Sequence, residues 1–238
     1  MNWNIISQIG KRKTNQDLTL VKKINSDSYL YLIADGMGGY DNGNIAAEIV
    51  IDHLATFLSN TNKIDEATIN KAIKGANLAL LKYQQQNHSK LGSTLGGIII
   101  SGNIAKVFWV GDVKIFHYSQ GKLCFESKAH NIINELSSLN SLNKKPDLSK
   151  YDHIVTRSVQ GDSKKSIPSY HKLLLKEGDQ LFICSDGVHN IIDAHTLQYL
   201  LNNEDSPNSL IDAIDQRLEK EANDNASLIL IKDFDFHE

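Results

Sequence analysis

The chain has 238 residues, 41% hydrophobic and 22% charged, with a formal net charge of −3. That length suits one large domain or two small ones and buries a sizeable core without staples. The charge gives no reason to expect nucleic acid or an anionic membrane as partner, and no apolar segment approaches the roughly 20 residues that span a bilayer.

Met1 leads into Asn2-Trp3-Asn4 with no charged start and apolar run, so no signal peptide is expected and the protein reads as soluble and cytoplasmic. Its two cysteines, Cys124 and Cys184, fall inside predicted strands and read as buried free thiols.

Trp3 to Ile9 and Leu18 to Ile24 read as strands flanking the polar, basic turn Gly10 to Asp17. Tyr29 to Ala34 is an apolar run that reads as a strand buried on both faces, ending at Asp35. Gly36, Gly38 and Gly39 form the turn after it, and Asp41, Asn42 and Asn44 offer caps to a helix. That helix runs from about Asn44 to Ser59, with Ala46, Val50, Leu54 and Phe57 as its buried stripe. A second, Asp65 to Gln86, carries Ile69, Ala72, Ile73, Ala76, Leu80 and Tyr83 at helical spacing. The two are expected to form an antiparallel pair over a sheet.

Four runs joined by tight turns follow: Ser93 to Ser101, Ile104 to Val110, Lys114 to Tyr118 and Leu123 to Ser127. Their spacing predicts a β-meander. Asn131 to Leu139 is a candidate short helix, and the polar stretch Asn140 to Ser169 a surface loop or flap with a strand-like piece at His153 to Ser158. Leu173 to Lys176 and Gln180 to Cys184 read as a hairpin. Helices follow near Ala194 to Asn202 and from Ser206-Pro207 to about Ala222, the second with a serine cap and an early proline. The last strand is Ser227 to Lys232. Helices arrive in pairs between groups of strands, which favours an α+β fold: a single-domain, four-layer α-β-β-α sandwich of two mainly antiparallel sheets with a helix pair on each outer face.

Acids stand at the strand ends. Asp35, Asp112 and Asp186 follow apolar strands beside glycine, while Asp17 and Asp224 precede apolar strands. In an antiparallel sandwich all five can share one edge, where their repulsion calls for cations between them. All-oxygen ligation points to Mg²⁺ or Mn²⁺ rather than zinc. Acids beside glycine also simply mark turns. Five at buried strands favour the metal centre.

GKRKTNQD (from Gly10), ADGMGGY (from Ala34), GSTLGG (from Gly92), GDVKIFHY (from Gly111), CSDGVHNI (from Cys184) and DNASLILI (from Asp224) occur in that order. Together they resemble the metal-dependent serine/threonine protein phosphatases of the 2C type in their compact bacterial form. The resemblance implies the same sandwich and hydrolysis of phosphoserine and phosphothreonine by a water bridging two metals. It implies that Asp35 bridges the two metals, that the Gly36 carbonyl binds one, and that Asp186 and Asp224 complete the other site. Asp17 would hold a metal-bound water, Arg12 would bind the substrate phosphate, and Asp112 with Asp186 matches a third metal position. Two or three Mn²⁺ or Mg²⁺ ions are therefore expected, with a phosphorylated protein as partner, a serine/threonine kinase opposing the enzyme, and a monomer.

Arg12 between Lys11 and Lys13 also fits a solvated basic loop. His189 fits either a place near the site or an ordinary hydrogen-bonded histidine. The chain departs from the family at Gln16, where glutamate is usual, at Met37, where animal enzymes have histidine, and at Val113-Lys114, where Ser-Arg is usual. Those departures leave an alternative: a catalytically weak or inactive relative acting as a regulatory binding module.

Overall fold

In the computed structural model, which describes residues 1–38, 42–138, 154–204 and 206–234, the apolar runs become strands of two sheets. One sheet holds, in spatial order, β1 (Asn2–Gln8), β11 (Ala226–Lys232), β10 (Gln180–Cys184), β7 (Lys114–Ser119) and β8 (Lys122–Glu126). The other holds β2 (Asp17–Asn25), β3 (Ser28–Gly38), β5 (Leu95–Ser101), β6 (Ile104–Val110) and β9 (Ser169–Leu174). A short strand, β4 (Leu91–Ser93), pairs with the end of β3.

The side-chain period of two sorts these strands into layers. In β3, Leu30, Leu32 and Ala34 face α1 (Gly43–Ser59) and α2 (Glu66–Asn87), while Tyr31 and Ile33 face the opposite sheet. In β11, Leu228 and Leu230 face α5 (Ala194–Asn203) and α6 (Pro207–Glu221), while Ile229 and Ile231 face inward. Because strands of both sheets are covered on both faces, they carry unbroken apolar runs. The expected α-β-β-α sandwich results. Two shorter helices, α3 (Ile132–Ser138) and α4 (Asp186–His189), lie in the connections. The expected helix stripes are buried at Ala46, Val50 and Leu54 and at Ile69, Ala72, Ile73, Ala76 and Leu80. Ser206 caps α6 through Ser209 with Pro207 in its first turn.

Several local expectations are corrected. The strand expected to stop at Asp35 continues to Gly38: it leaves β5 after Ile33 and takes β4 as its new partner at Gly36. Correspondingly, the run expected from Ser93 to Ser101 is broken at Thr94. The meander is not one sheet, since β6 and β7 lie in different sheets and Gly111–Val113 crosses between them. Nor do β9 and β10 form a hairpin; β9 pairs with β6 and β10 with β7 and β11. Cys184 is buried, but Cys124 is exposed because β8 is an edge strand. Asn42 caps α1 without a side-chain hydrogen bond. The candidate cap Asp41 and the turn residue Gly39 lie outside the described residues, as do Leu139 and residues 140–153 of the expected flap. Within 154–158 there is no strand, only a single bridge of Val155 to Asn131. Val159 bridges Ser93 of β4 through two backbone hydrogen bonds of 2.9 Å, so the base of the flap is sewn to the strand that flanks Gly36.

Candidate metal centre

Asp17 and Asp35 are a directly paired couple across β2 and β3. By the alternation that sends Tyr31 and Ile33 inward, Asp35 projects on the inter-sheet side at the open end of that layer. Its backbone is pinned at the partner change: Thr94 N–H donates to the Asp35 carbonyl at 2.9 Å, and Asp35 N–H donates to Thr94 Oγ1 at 3.3 Å.

The facing sheet brings its acids to the same mouth. Asp186 opens α4 directly after β10, Asp224 stands two residues before β11, and Asp112 lies in the crossing from β6 to β7. Ser185 joins the two sheets, its Oγ donating to Asp17 Oδ2 at 2.7 Å while accepting Ser227 N–H at 2.9 Å. Asn225 clamps the turn after β1. Its Oδ1 accepts Gln16 N–H, and its Nδ2 donates to the carbonyls of Ile9 and Thr14. The sequence reading assigned no role to Ser185 or Asn225; their adjacency to Asp186 and Asp224 was the available signal.

At the rim, Arg12 Nη2 lies 2.5 Å from Asp224 Oδ2. The Asp224 contact, helped by Asp186 and Asp35, raises the affinity of this guanidinium for its proton. Arg12 is therefore directed into the acid cluster, whereas neighbouring Lys11 bonds Asn223 at 2.8 Å.

Burial, followed by the fields of Asp17, Asp186, Asp112 and Asp224, holds the Asp35 carboxyl well above the usual carboxylate range. Burial first, then Asp112, Asp224 and Asp17, pushes Asp186 up to about 7. Asp17 and Asp112 are also raised, chiefly by burial. The residues suit hard cations. The donors are all oxygen, the carboxylates raise one another, and Asp17 Oδ1 is buried without a hydrogen-bond partner. Among the described residues no three His, Cys, Asp or Glu side chains close round one point. That is compatible with Mg²⁺-like sites, which use one or two carboxylates each and keep several waters.

The Gly36 N–H donates to the Gln16 carbonyl at 3.1 Å, and an added Cβ at Gly36 would lie 1.9 Å from the Gly43 carbonyl oxygen. This glycine serves close approach, letting the first turn of α1 press on the strand that carries Asp35. Gln16 is thus part of the frame. Met37 borders a groove of about 590 Å³ that continues past Leu91, Gly92, Thr156 and Gln160.

The raised carboxyls have a consequence for stability. Folded Asp35 and Asp186 hold protons that the unfolded chain releases near 3.8. The contribution of Asp186 is fully present below that value and is lost as pH rises through about 7, and that of Asp35 is lost in the same direction. Burial pushes His130 and His189 down to about 4, which acts in the opposite sense below the unfolded value of 6.5. Metal-free protein should therefore melt at a lower temperature at about pH 8.5 than at about pH 6.5, by several degrees, and Mn²⁺ should remove the difference. A melting temperature that climbs over that interval without metal would contradict this electrostatic account.

A family model described as Protein phosphatase 2C matches residues 7–229. Protein phosphatase PhpP of Streptococcus pneumoniae is 24% identical over 212 residues, covering 86% of this chain and 85% of its own length. The serine/threonine phosphatase stp of Listeria welshimeri is 21% identical over 230 residues, covering 93% and 91%. Among solved structures, the serine/threonine phosphatase of S. agalactiae superposes with a TM-score of 0.86 at 25% identity, covering 97% of this chain and 98% of that one. The catalytic domain of the phosphatase PstP in complex with 2 manganese ions gives 0.78 at 21% identity, with 96% of each chain covered.

Proposed function

Because this chain belongs to the protein phosphatase 2C family, a family of phosphoprotein hydrolases that use divalent metal, we propose that the five-aspartate mouth between its sheets is the catalytic centre. The chain removes phosphate from phosphoserine and phosphothreonine in proteins. The observation that carries this reading is the convergence of Asp17, Asp112, Asp186 and Asp224 on Asp35, with Arg12 at the rim. The names of the relatives favour an active enzyme over a phosphatase-like binding module.

Asp35, the Gly36 carbonyl, Asp186 and Asp224 would hold two Mg²⁺ or Mn²⁺ ions, Asp17 would orient a water there, and Asp112 with Asp186 would add a third position. Such ions, when bound, acidify water and neutralise charge on a phosphoryl group, so no side-chain nucleophile is needed. Arg12 offers its planar fork to the phosphate, a role lysine matches poorly. Ser185 fixes the Asp17 carboxylate, and Asn225 fixes the loop that carries Gln16. The groove beyond Met37 receives the polypeptide around the phosphorylated residue, and the segment 140–169 selects among substrates. The rest of the proposal is a single-domain monomer in the cytoplasm, opposing a serine/threonine kinase; among the described residues no helix is long and apolar enough to cross a membrane.

The test is phosphate release from a phosphothreonine peptide with EDTA, Mg²⁺ or Mn²⁺, beside Asp186→Asn. Turnover that needs metal and vanishes in the variant supports the reading; metal-independent turnover would sink it. In the same assay Arg12→Ala should lower kcat/KM about 10–100-fold, the loss of a charge-assisted bond of about 1.5–3 kcal/mol, and Arg12→Lys should recover only part of it. A variant at full efficiency would leave Arg12 as the solvated basic loop.

A further inference from the structure

The turn that carries Asp112 is gripped from two sides by imidazoles. His189 lies on α4, three residues after Asp186, and its Nε2 is 3.0 Å from the Asp112 carbonyl oxygen. A carbonyl only accepts, so Nε2 carries the hydrogen. On the other side, Gly111 N–H donates to His130 Nδ1 at 3.0 Å, and His130 N–H donates back to the Gly111 carbonyl at 2.8 Å. With Nδ1 accepting, the His130 proton sits on Nε2, which faces Ser169 Oγ at 2.8 Å. Each ring is thereby held in one tautomer. The His130 ring also stacks on Trp109 at 6.0 Å and 15°.

Both imidazole contacts go to backbone atoms, which places Asp112 without occupying its carboxylate. The departure at Val113-Lys114 fits the same frame: Val113 is buried between the sheets, and Lys114 is drawn off to Glu126. The only hydrogen bond among the described residues that joins the Asp112 turn directly to the Asp186 helix is the one from His189.

We propose that His189, braced by His130 on the far side of the turn, is a positioning residue that sets the spacing of Asp112 and Asp186 and so the affinity of the additional cation site those two acids form. This rests on the reading of Asp112 and Asp186 as ligands of a cation beyond the first two. Groups that orient ligands in this way typically change metal affinity about 10–100-fold when removed. His189→Gln retains an amide N–H at the reach of Nε2, whereas His189→Ala retains none.

Mn²⁺ binding to the full chain, followed by equilibrium dialysis with paramagnetic-resonance detection of free ion, separates the sites. Asp112→Asn identifies which affinity belongs to the Asp112 position, and thermal melts of the metal-free proteins run alongside. Wild type should bind more than two ions. His189→Ala should weaken the site lost in Asp112→Asn about 10–100-fold and leave the others unchanged, while His189→Gln should stay close to wild type at that site. His130→Asn, which keeps an acceptor for Gly111 N–H, should bind better than His130→Ala. Equal losses in His189→Gln and His189→Ala, unchanged affinity in His189→Ala, or weakening of every site together with a fall in melting temperature each overturns the positioning role. A wild type that never exceeds two ions instead overturns the reading of Asp112 itself, and the inference with it.

Discussion

Asp35→Asn should lower the rate of metal-dependent phosphate release by about 10³-fold or more, the scale of losing one preorganised electrostatic element at a reacting centre, while raising the melting temperature of the metal-free protein. The two effects have one cause. Asp35 stands opposite Asp17 in register and feels Asp186, Asp112 and Asp224 as well. Asparagine has the same shape, and the strand there is held by Thr94 and by pairing with β4, so the backbone has no reason to move. At neutral pH asparagine removes the cost of burying this carboxyl among other acids, which the metal-free fold otherwise meets by taking up a proton, at the expense of the carboxylate proposed to attract the cations. Function and stability pull against each other at this residue. Phosphate release and melts in EDTA check the pair of outcomes. An asparagine variant with a tenth of wild-type activity would show that Asp35 is not the centre of the site, and one that melts lower would show that the buried carboxyl is no cost to the metal-free fold.

Gly36→Ala should be among the most damaging single substitutions in the chain, costing about 3 kcal/mol or more, the upper end of overpacking penalties. Its Cβ would stand 1.9 Å from the Gly43 carbonyl oxygen and 2.9 Å from that of Gln16, and neither is the end of a flexible side chain. Relief requires the start of α1 to lift off β3, which also disturbs Asp35 one residue away. Gly43→Ala meets the Gly36 carbonyl oxygen at 2.5 Å and Gln16 Oε1 at 2.6 Å, so part of its strain is relieved by moving a side chain. Urea denaturation should therefore rank the midpoints as wild type, then Gly43→Ala, then Gly36→Ala, with unchanged slopes. A Gly36→Ala variant within about 0.5 kcal/mol of wild type, the range of an ordinary surface change, would mean that strand and helix are not in contact as described.

The layers were legible because a strand covered on both faces must be apolar throughout, and the helix stripes because only one face meets the sheet. The same uniformity hid which sheet each strand joins. β6 and β7 are both apolar, so nothing in their residues shows that Gly111–Val113 crosses from one sheet to the other. A short connection signals closeness, and in a sandwich a strand can lie close to another across the core as well as beside it. The glycines after Asp35 misled for a related reason. Glycine marks both positive φ and close approach, and here Gly36 serves the second while β3 runs on. The aspartates were readable from their places at strand ends. Ser185 and Asn225 were legible only as neighbours of two of those acids, because their work is to tie together segments more than 160 residues apart in sequence.

The pairing of β1 with β11, from Asn2 with Lys232 to Gln8 with Ala226, sets an order of events during synthesis. Chain growth at about 5–20 residues per second separates the two partners by roughly 10–45 s. In that interval β2, β3, β5 and β6 can pair with near neighbours and bring Asp17 to Asp35 under α1 and α2. Asp186 and Asp224 arrive only with β10 and β11, and β11 also gives β1 its place. A nascent chain therefore brings Asp17 to Asp35 well before Asp186 and Asp224 can join them, and the proposed centre is completed only when β11 takes its place beside β1. Refolding from denaturant, with closure over most of the chain, should be slow for the same topological reason.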